Sequence, residues 1–235
     1  VSAMAGVTDQ LVAYANEISP APDPREYDML LATGEQQTIA LMAMAIQGLG
    51  VPARSFTRAQ VKVQTDDDHA RARILRIDTE RIREELARGG VPVLPGFQGV
   101  TDEGEITTLG RGASDTTAVA LAAALRADVC EIFTDVTGVF TSDPRIVPNA
   151  RKLPRVSYDE ILEMASLGAK VLAVRSAKIG MKYRVPIHVR STFSDEEGTW
   201  VVPESEVIER LVVSSVTYNR NEAKVTIFGV PDVPG

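Results

Sequence analysis

The sequence is almost without cysteine, since Cys130 is the only one among its 235 residues. A single thiol excludes an internal disulfide framework, and it excludes a zinc site built from cysteine ligands. Chains with so little cysteine are typical of a reducing compartment. We therefore expect a cytoplasmic location.

Long apolar runs are missing as well. The longest, residues 39–46, is far shorter than the ~20 residues that a membrane-spanning helix needs, so we expect neither a signal peptide nor a membrane anchor. Basic residues are fewer than acidic ones, 25 against 32, which gives a formal net charge of −7. We therefore expect no nucleic-acid partner and no membrane partner, and positive charge only in a local pocket.

What the chain does contain is typical of a globular α/β protein. Apolar residues make up 44%, and segments with strand character alternate with helical segments, which predicts a largely parallel central sheet with helices on both faces. The predicted helices cover residues 8–18, 26–49, 79–88, 114–127, 158–167 and 170–183. The predicted strands cover residues 51–56, 72–77, 91–94, 106–109, 129–134, 187–191 and 200–202. We expect Thr8 to cap the first helix and Thr33-Gly34 to interrupt the second.

The strongest local signal is TTLGRGASDTT at residues 107–117, where a strand runs into a Gly-x-Gly turn and a helix begins at Ser114 or Asp115. Glycines let backbone N–H groups approach an anion closely, and the start of a helix adds a favourable dipole. Arg111 brings a planar guanidinium that suits a carboxylate or a phosphate. Asp115 is unusual in a loop that only holds phosphate, because like charges repel. It fits a role in orienting a lysine, a metal-bound phosphate or an amino group.

One other interpretation of this turn remains open, and several nucleotide-binding motifs are excluded by its residues. From the local pattern alone, a simple helix cap at Ser114 or Asp115 explains the segment equally well. A Rossmann fingerprint needs a third glycine where Asp115 stands, and no Gly-x-x-x-x-Gly-Lys-Ser/Thr sequence occurs. The His-Arg-Asp and Asp-Phe-Gly elements of protein kinases are absent too.

A second segment, FTDVTGVFTSDPR at residues 133–145, follows an apolar strand. Thr134 and Asp135 come at the carboxyl end of that strand, which is where open α/β sheets bind ligands. There Asp135 can accept from ribose hydroxyls, Phe140 can pack on a base, and Arg145 can reach a phosphate. Taken alone, each of these turns is better explained by ordinary turn chemistry.

Together and in this order, the two segments resemble the amino-acid kinase family, and among its members the aspartate kinases closely. The similarity extends over nearly the whole chain through four further blocks: VSAMAGVTD (1–9), ATGEQQT (32–38), SYDEILEMASLGAKVL (157–172) and VPIHVRSTF (185–193). It implies a three-layer αβα amino-acid kinase fold with a mainly parallel central sheet over residues 1–203. Residues 204–235 are then a linker and the first strands of an ACT-like regulatory domain.

The resemblance implies transfer of the γ-phosphoryl group of ATP to the β-carboxylate of L-aspartate, the first step towards lysine, threonine and methionine. The product is 4-phospho-L-aspartate. The acceptor carboxylate is already ionised near neutral pH, so the reaction needs in-line positioning and charge neutralisation rather than a general base. We accordingly expect the two histidines, His69 and His188, at the surface or in packing. Mg²⁺ is implied together with ATP and is held mainly through phosphates and water, so no protein metal ligand is expected.

The same resemblance implies a set of site residues. One group is expected to bind the substrate: Thr8, Glu35, Phe97, Arg111 and Ser114. Glu35 meets the substrate ammonium and Arg111 meets a carboxylate, although Glu35 by itself is more simply a solvated helix residue. The expected catalytic residues are Asp115, Arg111 and Lys170. The expected nucleotide-binding residues are Ser2, Gly110, Gly112, Thr134, Asp135, Phe140, Arg145 and Lys170.

The chain departs from the family pattern in three places. The family's Lys-Phe/Tyr-Gly-Gly loop has no counterpart, so we expect a catalytic domain without its first strand and phosphate loop, in a chain cut at both ends. Ala113 stands where a third glycine is frequent, and Ala173-Val174 replaces a frequent His-Pro pair. Because of the missing lysine, a non-catalytic or regulatory subunit is the alternative function, and a mononucleotide-binding structural protein is a third, weaker one.

Within the family, acetylglutamate, glutamate and uridylate kinases are the rivals. The block VSAMAGVTD and the ACT-like tail favour aspartate over all three. An end-product amino acid, lysine and/or threonine, is expected to bind through the regulatory region. Pairing of such regions between chains implies a homo- or hetero-oligomer.

Overall fold

The computed structural model describes residues 1–110, 112–166, 171–207 and 215–216. The helices in these ranges are α1 (Val7–Ile18), α2 (Pro24–Gly48), α3 (Glu80–Ala87), α4 (Ala113–Leu125), α5 (Tyr158–Ser166) and α6 (Val174–Tyr183). The strands are β1 (Ala53–Ser55), β2 (Val63–Thr65), β3 (Ile74–Ile77), β4 (Val91–Val93), β5 (Gln98–Val100), β6 (Ile106–Thr108), β7 (Cys130–Thr134), β8 (Arg155–Ser157), β9 (Ile187–Ser191) and β10 (Thr199–Val202). Most of the predicted linker and regulatory start at 204–235 lies outside the described residues. None of the described helices combines the length and the apolar character needed to cross a lipid bilayer.

The described strands form three sheets, with the orders β1-β4, β3-β2-β5-β6 and β7-β9-β10-β8. Four of their pairings are parallel and three are antiparallel; the sheet β1-β4 is parallel and the two four-stranded sheets are mixed. The antiparallel pairs are β2-β3, β5-β6 and β9-β10, each joining strands that follow one another in the chain. Such strands can be linked by a short turn, whereas parallel neighbours need a longer crossover. The α/β class predicted from the sequence is confirmed, but the expected single, mainly parallel central sheet is wrong for the described residues, whose strands form three sheets with three antiparallel pairings.

The largest core lies between the sheet β7-β9-β10-β8 and the helices α4, α5 and α6. Ile187, Val189 and Val201 are wholly buried in it. Because successive side chains of a strand point to opposite faces, His188 lies on the other face of β9 from its two neighbours. There its ring stacks on Trp200 with centroids 4.0 Å apart. The packing role predicted for His188 is confirmed.

Helix α2 runs without interruption over 25 residues, so the predicted break at Thr33-Gly34 is wrong. Asp23 caps the helix by accepting hydrogen bonds from two N–H groups of its first turn. Gly34 serves a different purpose, because a Cβ there would lie 3.0 Å from the Cβ of Ala3. The missing side chain lets the segment before α1 pack directly on α2, and this contact builds one side of the site.

The start of α1 and three short strands also differ from expectation. The residue before α1 is Gly6, in the left-handed region with φ 79°, and Thr8 is already the second residue of the helix. The prediction that Thr8 caps α1 is therefore wrong. Strands β2, β5 and β8 were not predicted.

Candidate active site

A cavity of about 450 Å³ opens where α1, α2 and the turn between β6 and α4 meet. Its wall contains the described residues that were expected to bind the substrate: Thr8, Glu35, Phe97 and Ser114. It also contains four residues expected to act in catalysis or nucleotide binding: Ser2, Gly110, Gly112 and Asp115. The fold therefore gathers into one place residues that the sequence spreads from position 2 to position 115.

Glu35 reaches this cavity from α2, where it is only 3% exposed. Its Oε1 accepts a hydrogen bond of 3.2 Å from the N–H of Ala3, whereas Oε2 has no partner among the described residues. Burial raises the pKa of the Glu35 carboxyl, and the Ala3 N–H and the positive charge of Arg58 oppose that rise. A buried carboxylate oxygen without a partner is costly. Glu35 is thus prepared to receive a hydrogen-bond donor, and a cationic donor above all.

Arg58 carries the positive charge that balances Glu35. It is 2% exposed, and none of its guanidinium nitrogens has a hydrogen-bond partner in the described part of the chain. Burial lowers the pKa of Arg58 to about 9, while the charge of Glu35 raises it. Opposite charges attract more strongly in a buried environment than in water, so each stabilises the ionised form of the other. Sequence reasoning missed Arg58, because a lone arginine between strands gives no local sign of burial.

Helix α4 presents its amino end to the cavity. It begins directly after Gly112, which lies in the left-handed region with φ 73° and, as a glycine, has no side chain that could cap the helix. The N–H groups of its first turn are therefore available to an anion. Asp115 stands in that turn, and burial raises its pKa to about 6, while the nearby N–H of Ala173 opposes the rise. An anion-binding helix end and a carboxylate that favours a nearby cation thus share one wall.

Phe97 lines the cavity on a strained turn. Its φ of 66° lies in the left-handed region, which costs a residue other than glycine roughly 1 kcal/mol or more. Its N–H donates a hydrogen bond of 3.2 Å to Oγ1 of Thr117 on α4. A Cβ at the preceding Gly96 would lie 2.7 Å from Oγ of Ser114. These contacts explain the unusual backbone, because they dock the turn directly on the first turns of α4.

A second buried carboxylate, Asp28, was missed by sequence reasoning. It is fully buried and accepts hydrogen bonds from the N–H of Ala70 at 3.0 Å and from the N–H and hydroxyl of Thr108 at 3.0 and 2.5 Å. His69 was expected at the surface or in packing, but its Nδ1 lies 2.7 Å from Oδ2 of Asp28. Ala70 and Thr108 both line the cavity. Their positions, 42 and 80 residues from Asp28, put these contacts beyond any local pattern.

Four residues expected on the nucleotide side lie outside the cavity wall, at the carboxyl end of β7 and in the loop beyond it: Thr134, Asp135, Phe140 and Arg145. The Thr134 hydroxyl donates a hydrogen bond of 3.1 Å to Oδ1 of Asp135. The guanidinium of Arg145 binds the carboxylate of Asp143 at 3.0 and 2.8 Å. Of the expected nucleotide-binding residues, Ser2, Gly110 and Gly112 therefore lie in the cavity and these four form a separate group.

Two of the expected catalytic residues, Arg111 and Lys170, lie outside the described residues. Within the described ranges, no group of three or more histidine, cysteine, aspartate or glutamate side chains is arranged to hold a metal ion. The chemistry that the described cavity itself offers is electrostatic. It combines the partly unsatisfied carboxylate of Glu35, the amino end of α4 and the carboxyl of Asp115.

Comparison with known proteins gives consistent results. The model of the amino acid kinase family matches residues 1–191. An aspartate kinase of Pseudomonas putida is 53% identical over 236 residues, covering 100% of this chain and 57% of that protein. The chain thus spans a little over half the length of the curated relatives it matches.

Solved structures agree with this. The aspartate kinase from Synechocystis superposes with a TM-score of 0.77 at 51% identity, covering 91% of this chain and 35% of the other. The aspartokinase III of E. coli in complex with aspartate and ADP gives 0.75 at 31% identity, with 85% and 45% covered. The same enzyme has also been solved with lysine and aspartate. The amino acid kinase fold predicted from the sequence is confirmed.

Proposed function

Because this chain belongs to the amino acid kinase family, we propose that it carries the catalytic domain of an aspartate kinase. The reaction transfers the γ-phosphoryl group of ATP to the β-carboxylate of L-aspartate and gives 4-phospho-L-aspartate. The similarity to aspartate kinases along the whole chain supports this activity over that of other family members.

The observation that carries the proposal is that one cavity contains both a carboxylate acceptor for a cation and N–H donors for an anion. The Oε2 of Glu35 has no described partner, and the amino end of α4, which follows Gly112, lines the same space. An amino acid with two carboxylates needs both features, since its ammonium requires an acceptor and its carboxylates require N–H donors. In this proposal Glu35 receives the ammonium, while Ser114 and Arg111 hold a carboxylate with help from Thr8. Phe97 closes the wall around the substrate.

The nucleotide is proposed to bind between two groups of residues. Gly110 and Gly112 have φ values of 87° and 73°, which most side chains cannot adopt, and so they let backbone N–H groups approach phosphates. The other proposed contacts come from Ser2, Thr134, Asp135, Phe140, Arg145 and Lys170. The E. coli relative solved with aspartate and ADP supports nucleotide use in this fold.

The proposed mechanism depends on position and charge. The β-carboxylate of aspartate is ionised near neutral pH, so the protein holds it in line with the γ-phosphorus and removes no proton. Arg111 and Lys170 are proposed to neutralise charge on the transferred group, and Asp115 to organise the cations around it. The raised pKa of Asp115 fits this role, because a buried carboxyl gains most from a neighbouring positive charge. When bound, Mg²⁺ supplies charge neutralisation on the phosphates, which together with water are proposed to hold it.

Regulation and assembly belong to the same proposal. Residues 1–203 are proposed as the catalytic domain, and residues 204–235 as a linker and the start of a regulatory domain that binds lysine and/or threonine. The E. coli relative solved with lysine and aspartate supports an amino-acid effector. A homo- or hetero-oligomer in the cytoplasm is proposed with it.

The test is an acyl-phosphate trapping assay on the protein at its full natural length. Hydroxylamine converts an acyl phosphate into a coloured hydroxamate, so ATP and aspartate together are expected to give colour, and either alone none. Glutamate and UMP serve as competing acceptors, with ADP release as the readout for UMP. ATP-dependent phosphorylation of glutamate or UMP in place of aspartate would reject the assignment.

A further inference from the structure

Arg175, in the first turn of α6, holds two segments of the cavity wall together. Its Nη1 donates a hydrogen bond of 2.7 Å to the carbonyl of Leu109, and its Nη2 donates one of 3.0 Å to the carbonyl of Ala72. Leu109 immediately precedes Gly110, and Ala72 follows Ala70 by two positions. Since Gly110 and Ala70 both line the cavity, the two carbonyls belong to its supporting layer.

The residue type matters for this contact. Among the described residues Arg175 forms no ion pair, so its guanidinium is directed at two neutral carbonyls. Burial lowers the pKa of Arg175, and the charge of Arg73 lowers it further while Asp66 raises it. A planar guanidinium can span two carbonyls with separate N–H groups at fixed angles, whereas a lysine ammonium is a single point. The forked guanidinium of Arg175 therefore fixes the relative positions of the two carbonyls, in addition to carrying a charge.

The start of α6 also contacts the first turn of α4, on the other side of the two glycines. The N–H of Ala173, just before α6, faces the carboxyl of Asp115 closely enough to oppose the rise in its pKa. The Thr116 and Ser176 hydroxyls lie 3.4 Å apart. Helix α6 therefore contacts the chain on both sides of the two glycines: Arg175 binds the carbonyl of Leu109 before Gly110, and Ser176 lies beside Thr116 after Gly112. Shifting α6 would move both ends of this turn together.

We propose that Arg175 is a positioning residue that presets the turn between β6 and α4 for phosphoryl transfer. It acts through the carbonyls of Leu109 and Ala72 and touches no substrate itself. Preorganising a binding loop before the ligand arrives avoids the ordering cost on binding and in the transition state. The kinetic consequence rests on the proposed function, whereas the ordering of the turn does not.

The first arm of the test measures backbone order without any reaction. Arg175→Met removes the fork, and Lys178→Met removes a charge from an exposed position of the same helix as the matched control. By hydrogen–deuterium exchange, peptides covering residues 69–75 and 107–115 are expected to exchange about tenfold or more faster in Arg175→Met and unchanged in the control. Equal exchange in both variants overturns the proposal. If Arg175→Met does not fold, Arg175→Lys, which keeps the charge and loses the fork, makes the same comparison.

The second arm measures kinetics at full natural length. Arg175→Met is expected to lower kcat and raise the KM for aspartate, each by about tenfold, with Arg175→Lys in between and Lys178→Met like the wild type. Unchanged constants in a variant whose turn exchanges faster overturn the positioning role. Absence of hydroxamate with the wild-type protein would instead reject the proposed function and leave the exchange result standing. The two failures are thus distinguishable.

Discussion

Asp28 and Thr108 are joined by two hydrogen bonds, from the N–H of Thr108 at 3.0 Å and from its hydroxyl at 2.5 Å, both to the carboxylate of Asp28. The pair connects the first turns of α2 to the last residue of β6 across 80 positions of sequence. Because Thr108 lies two residues before Gly110, the buried carboxylate sets where the Gly-x-Gly turn begins. The position of the turn therefore depends on a residue outside every motif.

Replacing Asp28 by asparagine tests this connection through stability. An asparagine amide has one oxygen where the carboxylate has two, so its NH₂ group would face N–H donors of Ala70 or Thr108. We expect Asp28→Asn to lower the free energy of unfolding by about 2–4 kcal/mol, since a buried charged hydrogen-bond network is broken. Urea unfolding measures it, with exposed Asp67→Asn as the control. Equal unfolding midpoints for both variants would contradict the structural role.

Replacing Glu35 by glutamine tests the proposed ammonium acceptor. The glutamine retains the shape and loses the charge, so the KM for aspartate is expected to rise about 10- to 100-fold with little change in kcat. The raised pKa of Glu35 adds a pH signature: as pH falls through that pKa, the wild-type carboxyl is protonated and its KM rises, whereas the variant lacks this limb. Initial rates over a pH series measure both effects, and exposed Glu17→Gln is the control. A KM equal to that of the wild type would remove Glu35 from substrate binding.

Asp115 is expected to reduce stability at neutral pH. Its pKa is raised from 3.8 to about 6 by burial, so the folded state holds the proton more tightly than the unfolded state. Stability from this group is present below about pH 4 and is lost as pH rises through about 6. Asp115→Asn keeps an oxygen acceptor near the Ala173 N–H and has no charge to bury.

We therefore expect Asp115→Asn to be about 1–2 kcal/mol more stable than the wild type at pH 8. The difference should vanish near pH 4. Urea unfolding at both pH values measures it, and exposed Asp128→Asn serves as the control. The prediction is contradicted if the difference in free energy of unfolding between Asp115→Asn and the wild type is no larger at pH 8 than at pH 4.

The same residue tests the proposed mechanism when its carboxyl is removed. Asp115→Ala is expected to abolish hydroxamate formation while ATP affinity stays within a few-fold, because the carboxyl organises cations rather than holding the nucleotide. Isothermal titration with ATP and the trapping assay measure the two quantities. Turnover at the wild-type rate would exclude Asp115 from the mechanism.

Much of the site could be predicted because its residues stand in contiguous segments. The glycines at 110 and 112 predict a turn with positive φ, and Asp115 follows at the start of a helix. A local pattern was therefore enough to place these three residues together. The block at residues 1–9 and the block around Glu35 were linked to this turn only through the family resemblance. The gathering of these segments around one cavity follows from packing, with Gly34 allowing the close approach of Ala3.

The roles of Arg58, Asp28 and Arg175 could not be predicted from the sequence, and the physical reason is the same for all three. Each is a charged residue whose role comes from burial or from a hydrogen bond to a distant segment, and such residues are usually exposed. The sequence by itself determined the α/β class, the Gly-x-Gly turn and the carboxyl and helix start that follow it, because these depend on backbone preferences within a few residues. Only the tertiary structure decided that Glu35 keeps one carboxylate oxygen without a partner among the described residues and that Arg175 of α6 binds the carbonyl of Leu109, because desolvation and long-range hydrogen bonds exist only once the chain is packed.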